Sequence, residues 1–205
     1  MQISVKTNFP EVARAMGQMQ QDVAQRAMAS ALNKTIDIAR TAMTREIPAE
    51  FMVTAGYVRQ RLRVKRATGK GGGIRLEAEL AATNRKGRSA NIIAFVEKSV
   101  TLAQSRKRAK AGTQGQLFVK IKRKGAKKSL GPLAFIGNKG RTVFQRVGKS
   151  RLPIKAVQTI DVTQMFNTKR INGKVVAIMR ERFAAIFQHE AQFAINRAAA
   201  SIVSR

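Results

Sequence analysis

The residues that decide the fold, 8–48, read NFPEVARAMGQMQQDVAQRAMASALNKTIDIARTAMTREIP. Apolar residues recur at every third or fourth position along this stretch, which is the period of one face of an α-helix. Asn8 stands where an N-cap is needed, Pro10 falls in the first turn, and Pro48 predicts the end of the helix. The stretch therefore predicts a long amphipathic helix with one face that packs against a partner surface.

A second long helix is predicted over residues 173–203, at the other end of the chain. We expect its inner face to carry Val176, Met179, Phe183, Ile186, Phe187, Ala191, Ala194 and Ala198. The two helices together, through Met16, Met19, Phe183 and Phe187, are expected to build the core. Their length also offers surface for packing between subunits.

Between the helices the sequence predicts mainly short strands. Alternating or short apolar runs indicate strands at residues 3–6, 62–66, 74–80, 117–122, 133–147 and 153–162. Thr54 is placed to cap a short helix, and residues 92–96 fit a helix or a strand equally well. Glycine-containing turns at 69–73 and 137–140 predict two hairpins.

These elements predict an α+β fold, with a mostly antiparallel sheet flanked by the N-terminal and C-terminal helices and with basic loops. No Pro/Ser-rich linker divides the chain, so residues 1–205 are expected to form a single domain. Residues 84–131 allow a second interpretation, a basic loop or hairpin region that protrudes from that domain.

The charge of the chain is strongly one-sided, with 40 Lys and Arg against 11 Asp and Glu, a formal net charge of +29. Residues 98–160 carry 17 of these cations and no carboxylate. Because unscreened cations repel one another, such a segment is expected to face nucleic acid or acidic protein partners. The predicted DNA- or partner-binding residues are Arg106, Lys107, Arg108, Lys110, Lys120, Lys122, Arg123, Lys124, Lys127 and Lys128.

Composition argues against several other functions. One Tyr and no Trp leave little material for a base-stacking platform, and the lack of Cys removes thiol chemistry. His189 is the only histidine, and Glu77 and Glu79 are expected to pair with Arg75 or Lys65. We therefore expect no enzyme activity, no catalytic residue, no metal site, no cofactor and no small-molecule substrate.

The chain also carries no pattern of a membrane protein. Its first residues lack the apolar run of a signal peptide, and no stretch reaches about 18 uninterrupted apolar residues. We expect a protein made in a cytoplasm and not inserted in a membrane.

Three separated groups of residues resemble the minor tail protein Z family of tailed bacteriophages. The first is the run from Ala31 to Thr35, with Arg40 and Thr41 further along the same helix; the others are residues 132–136 with 140–146, and 152–155 with Met165. Their order and spacing cover most of the chain. The basic segment 106–128 is not part of any of these groups, so its role rests on charge alone.

The resemblance implies a structural tail completion protein of the virion, made in the host cytoplasm and located in the tail or neck at the head-tail junction. It implies a homo-oligomeric ring of six subunits around the DNA channel that helps tail attachment, DNA positioning and ejection. The implied partners are the tail terminator or tail tube, the head-tail connector and genomic DNA. The alternative is an RNA-binding or ribosome-associated basic protein, which would purify as a monomer and bind structured RNA.

Overall fold

The structure, a computed structural model, describes residues 2–5, 21–69, 74–83, 90–96, 117–131, 133–148 and 150–203. Its helices are α1 (Gln21–Glu50), α2 (Ala55–Arg59), α3 (Val162–Phe166) and α4 (Lys169–Val203). Its strands are β1 (Gln2–Val5), β2 (Leu62–Lys65), β3 (Ala78–Ala82), β4 (Ala90–Asn91), β5 (Phe118–Val119), β6 (Lys128–Ser129), β7 (Ala134–Gly137), β8 (Thr142–Arg146), β9 (Ile154–Ala156) and β10 (Gln158–Thr159). Short 3₁₀ turns cover Ile92–Phe95 and Asn138–Gly140.

The α+β fold class is confirmed. Two long helices are present, and every strand pair in the described part of the chain is antiparallel. The strands are divided among small sheets, with orders β1-β3-β2, β7-β8-β9, β10-β4 and β5-β6.

The chain divides into two compact units. The first, called the helical unit, comprises Met1–Arg45, Arg59–Thr83 and Phe166–Arg205, and the second, called the strand-rich unit, comprises Glu46–Val58 and Asn84–Met165. The interpretation as a single domain, and that of a protruding region at 84–131, stay predictions.

The core of the helical unit is built on α4 and on the buried face of α1. Along α4 the buried apolar residues follow one another at helical spacing: Ile171, Val175, Met179, Phe183, Phe187 and Ala191. The rings of Phe183 and Phe187 lie 6.4 Å apart and stacked, and each side chain is at most 1% exposed. Burying a side chain of this size stabilises a fold by roughly 1.5–3 kcal/mol. The expected core role of both phenylalanines is confirmed, whereas Met16 and Met19 lie outside the described residues.

The predicted limits of the two long helices need correction. Helix α4 begins at Lys169 and not at Gly173, and its buried stripe runs through Val175 instead of Val176. Pro48 does not stop α1, which continues to Glu50. Pro48 has no N–H donor, but the last turn still closes with a 2.8 Å bond from the Phe51 N–H to the Ile47 carbonyl. The predicted start of α1 at Asn8 lies outside the described residues.

Both predicted hairpins are present. In the helical unit, β2 pairs with β3 from Leu62 opposite Ala82 to Lys65 opposite Glu79. In the strand-rich unit, β7 pairs with β8, and the turn between them contains consecutive residues with positive φ. Asn138 and Lys139 adopt φ values of 49° and 52°, so the left-handed turn does not depend on Gly140 alone.

The predicted extended segment 153–162 ends earlier than expected, because α3 begins at Val162. Asp161 caps this helix, since its Oδ1 accepts a 2.7 Å hydrogen bond from the Val162 N–H. Gln164 reaches back and accepts from the Asp161 N–H at 3.2 Å, which is the bond that the third helical residue makes in a capping box. The short Asp-x-x-Gln signal therefore decides the structure of a run that apolar pattern alone assigns to a strand.

Candidate polyanion-binding surface

Six of the ten predicted binding residues lie in residues 117–130, which we call the cationic hairpin. Its strands β5 and β6 pair with Phe118 opposite Ser129, and the Leu130 N–H donates to the Leu117 carbonyl at 2.9 Å. Leu117 and Val119 are buried, 1% and 2% exposed, so the hairpin has one anchored face. The predicted alternation along 117–122 is confirmed over Leu117, Phe118 and Val119, and Phe118 is 43% exposed.

The hairpin is attached to the rest of the strand-rich unit by backbone hydrogen bonds. The Lys120 N–H donates to the Phe95 carbonyl at 3.0 Å, and the Met52 N–H donates to the Ile121 carbonyl at 2.8 Å. An isolated bridge also joins Val119 to Val96. These bonds fix the backbone from which the cations project, so their charges are presented on a defined surface.

Arg123 has a structural role that charge counting does not reveal. Its backbone N–H donates to the Glu50 carbonyl at 2.9 Å, and its Nε donates to the Pro48 carbonyl at 2.6 Å. Both acceptors lie in the last turn of α1, where carbonyls lack intrahelical donors and the helix dipole favours a cation. Because α1 has no basic residue of its own in that turn, Arg123 acts as its C-terminal cap.

The remaining cations of the hairpin point outward. Lys122, Lys124, Lys127 and Lys128 are exposed, and Lys120 is half-buried. Lys124 sits in the turn that closes with a 3.0 Å bond from the Gly125 N–H to the Lys122 carbonyl. The structure therefore brings together five lysines that sequence reasoning selected.

Few carboxylates are available to neutralise these lysines. The described residues of the strand-rich unit contain eleven Lys and Arg but only three carboxylates, those of Glu46, Glu50 and Asp161. Asp161 is used as the cap of α3. Within the described part of the chain, Lys122, Lys124 and Lys128 have no ion pair, so their charge is left for solvent or for a polyanion.

The other four predicted binding residues, Arg106, Lys107, Arg108 and Lys110, lie outside the described residues. Residues 70–73 of the first predicted hairpin turn lie outside them as well.

The sequence gives no direct signal for a hydrogen-bonded cluster around one buried carboxylate in the helical unit. Glu190 of α4 is 5% exposed, and it accepts hydrogen bonds from Ser30 and Lys34, which lie one turn apart on α1. Burial alone would raise the pKa of Glu190, but the hydrogen bonds from Lys34, Ser30 and His189 outweigh it and lower the pKa below its usual 4.5. The cluster joins the two long helices through a carboxylate that stays ionised.

His189 belongs to the edge of this cluster. Its Nδ1 lies 3.2 Å from the Glu190 Oε1, and its side chain is 75% exposed. His189 therefore lies on the exposed surface of α4. No group of three His, Asp or Glu side chains that could hold a metal ion is found in the described ranges.

The expected pairing of Glu79 is also confirmed. Its Oε2 lies 3.3 Å from the Lys65 Nζ and 3.8 Å from the Arg75 guanidinium. The carboxylate itself is buried, whereas both cations are largely exposed, so the pair neutralises charge within the β1-β3-β2 sheet. The role of Glu79 is thus structural.

The residues of the first resembling group have definite structural roles. Asn33 makes two hydrogen bonds to one residue, with its Nδ2 donating to the Ala67 carbonyl at 3.0 Å and its Oδ1 accepting from the Ala67 N–H at 2.8 Å. Lys34 binds Glu190, and the buried Thr35 hydroxyl donates to the Ala31 carbonyl at 2.8 Å. The group therefore ties α1 to the segment after β2 and to α4.

Fold and surface define a class of basic α+β protein, in which long helices form the core of one unit and a fixed hairpin of the other presents lysines. The chain belongs to the prophage minor tail protein Z family, whose model matches residues 10–201. Its class is thus that of structural phage tail proteins. Searches of curated proteins and of solved structures gave no match. Among the described residues, no helix is long and apolar enough to cross a membrane.

Proposed function

We propose that this protein is a tail completion protein at the head-tail junction of the virion, where six copies form a ring around the DNA channel. In this role it helps the tail attach and helps position the DNA end. Membership of a phage tail family supports the structural role. The observation that carries the proposal further is the cationic hairpin, in which Lys122, Lys124 and Lys128 have no ion pair among the described residues.

The physical reason is the balance of charge. Duplex DNA carries about one negative charge per 1.7 Å of its axis, and each phosphate that a lysine neutralises releases a counterion. A fixed hairpin with several exposed lysines gains this free energy without first ordering a flexible segment, because its backbone is already held by hydrogen bonds to Phe95, Met52 and Glu50. Acidic surfaces of the neighbouring tail terminator, tail tube or connector proteins would be attracted in the same way, although with lower charge density.

Complementation of a phage that lacks this protein tests the proposal. The hairpin variant replaces Lys120, Lys122, Lys124 and Lys128 by Ser. Its matched control replaces four exposed cations of the helical unit by Ser: Arg63, Lys169, Arg180 and Arg197. Both variants lose four positive charges, one from the strand-rich unit and the other from the helical unit.

Negative-stain images of the resulting particles give the readout. The hairpin variant is expected to yield detached tails or particles that retain their DNA, whereas the control is expected to yield intact virions. Infectious virions from the hairpin variant, or equal defects in both variants, would contradict the proposed role of the surface.

The ring is tested separately, by cross-linking the protein on isolated tails and measuring the mass of the product. A six-subunit product is expected. A purified monomer that binds structured RNA and ignores isolated tails would instead favour an RNA-binding or ribosome-associated protein.

A further inference from the structure

Strand β9 forms an edge of the β7-β8-β9 sheet, and its hydrogen-bond pattern shows which backbone groups are left free. The Val147 N–H donates to the Pro153 carbonyl at 3.1 Å, and the Val157 N–H donates to the Val143 carbonyl at 2.9 Å. Hydrogen-bonded pairs alternate with non-hydrogen-bonded pairs in an antiparallel ladder. Lys155 therefore bonds toward β8, whereas the N–H and C=O groups of Ile154 and Ala156 point away from the sheet.

The side chains along this edge are exposed. Leu152 is 65% exposed and Ile154 is 38% exposed, while Lys155 and Ala156 are also accessible. An accessible strand edge with apolar side chains is a template for another strand. Within the part of the chain that the structure describes, no backbone hydrogen bond reaches the outer groups of Ile154 and Ala156.

Hydrogen-bond chemistry favours a peptide over nucleic acid as the occupant of this edge. The edge offers two N–H donors and also two C=O acceptors. Phosphate oxygens accept hydrogen bonds but donate none, so DNA would leave both carbonyls unsatisfied. An extended peptide supplies donors and acceptors in alternation and matches both sets.

Electrostatics favours an acidic peptide. Lys155 lies in the centre of β9, and Arg151 precedes the strand, while the nearest carboxylates in the sequence are Glu97 before it and Asp161 after it. Pairing of two copies of β9 about Lys155 would place two lysines directly opposite each other, which is destabilising. A carboxylate in that position would instead form a cross-strand ion pair.

We propose that the outer edge of β9 binds an extended acidic segment of a partner protein by strand addition. Backbone hydrogen bonds form at Ile154 and Ala156, a carboxylate of the partner faces Lys155, and apolar side chains of the partner contact Leu152 and Ile154. This docking edge is distinct from the cationic hairpin, and the proposal does not rest on the hairpin binding DNA.

Hydrogen exchange with a defined probe tests the proposal. The probe is an acetylated and amidated peptide of sequence Val-Glu-Val-Glu-Val, and its matched control is Val-Lys-Val-Lys-Val. In the free protein, the amides of Ile154 and Ala156 should exchange rapidly while that of Lys155 is protected. The acidic probe should slow exchange at Ile154 and Ala156, and the lysine peptide should not.

Two variants separate strand addition from general attraction. Ala156→Pro removes an outward N–H without removing a bond to β8, because proline is compatible with an edge strand. It should weaken probe binding about tenfold, since one backbone hydrogen bond is lost and a pyrrolidine ring faces the peptide. Ala156→Ser, which keeps the N–H, should bind like the unchanged protein.

Lys155→Glu should reverse the preference and favour the lysine peptide. Protection of the Lys155 amide in every variant verifies that the sheet is intact. Four results would overturn the proposal: prior protection of Ile154 and Ala156, equal binding of both peptides, protection of these amides by duplex DNA, or self-association that Ala156→Pro abolishes.

Discussion

Replacement of Glu190 by Gln should destabilise the helical unit and change how its stability depends on pH. The carboxylate is 5% exposed and accepts hydrogen bonds from Ser30 and Lys34. An amide has the same shape, but it has only one acceptor oxygen and turns an NH₂ group toward the other donor. The change therefore removes charge and one acceptor without creating a large cavity.

The magnitude follows from the contacts. Hydrogen bonds to charged groups contribute about 1.5–3 kcal/mol each, but Lys34 is 55% exposed and its interaction is screened by solvent. We expect a loss of roughly 2 kcal/mol at neutral pH, which for a chain of this size lowers Tm by roughly 4–8 °C. Glu181→Gln, an exposed carboxylate on the same helix, is the matched control and should change stability by less than about 0.5 kcal/mol.

The pH dependence provides the sharper test. The folded protein holds the pKa of Glu190 below its usual 4.5, so acid protonates the unfolded chain first. This contribution to stability is therefore complete above the unfolded pKa and is lost as the pH falls through the folded pKa. In Glu190→Gln this component is absent. The free energy of unfolding of this variant should therefore fall less steeply below pH 4.5 than that of the unchanged protein.

Denaturant unfolding followed by circular dichroism, at neutral pH and in steps through the acid range, measures both effects. Equal stability of the Gln variant and the unchanged protein at neutral pH would refute the energetic reasoning. Parallel pH profiles of the two proteins would refute the assignment of an ionised buried carboxylate.

Three further substitutions test other contacts of the structure. Asn33→Ala removes both hydrogen bonds to Ala67 and should lower the free energy of unfolding, measured with denaturant, by about 1–3 kcal/mol. An unchanged stability would show that these two hydrogen bonds contribute little. Phe183→Ala opens a cavity in the core and should cost about 3–5 kcal/mol, whereas Phe193→Ala, on an exposed side chain, should cost far less; equal losses would contradict the placement of the core. Asp161→Ala removes the side-chain acceptor at the start of α3 and should lower the free energy of unfolding by about 1 kcal/mol, whereas an unchanged midpoint would argue against a capping role of Asp161.

The fold class and most elements could be predicted from periodicity, because burial imposes a period near 3.6 on helices and near 2 on strands. Thr54 illustrates a local signal that is sufficient by itself, since its Oγ1 accepts from the Tyr57 N–H at 3.2 Å as an N-cap should. The predicted end of α1 at Pro48 is wrong, because the residues after a proline keep their N–H groups and can close one further turn, as the Phe51 N–H does with the Ile47 carbonyl. Asp161 and Gln164 show the opposite case, because their hydrogen bonds start α3 where the apolar run predicts a strand.

The candidate surface could be predicted only in part. Absence of carboxylates pointed to the lysines of the cationic hairpin, and five of them do lie together in the structure. The pattern could not separate Arg123, because its role as a cap of α1 depends on a contact with residues more than seventy positions away in the sequence. Long-range pairs of this kind, Ser30 and Lys34 with Glu190 among them, leave no periodic trace.

The most direct test of the central claim is the salt dependence of binding to duplex DNA, with the hairpin variant compared with the unchanged protein. If Lys120, Lys122, Lys124 and Lys128 each neutralise a phosphate, the slope of log K against log salt should become shallower by about 0.9 per contact, or about 3.6 in total. The matched control variant in the helical unit should change the slope much less. An identical slope for the hairpin variant and the unchanged protein would contradict the claim that phosphates compensate this surface.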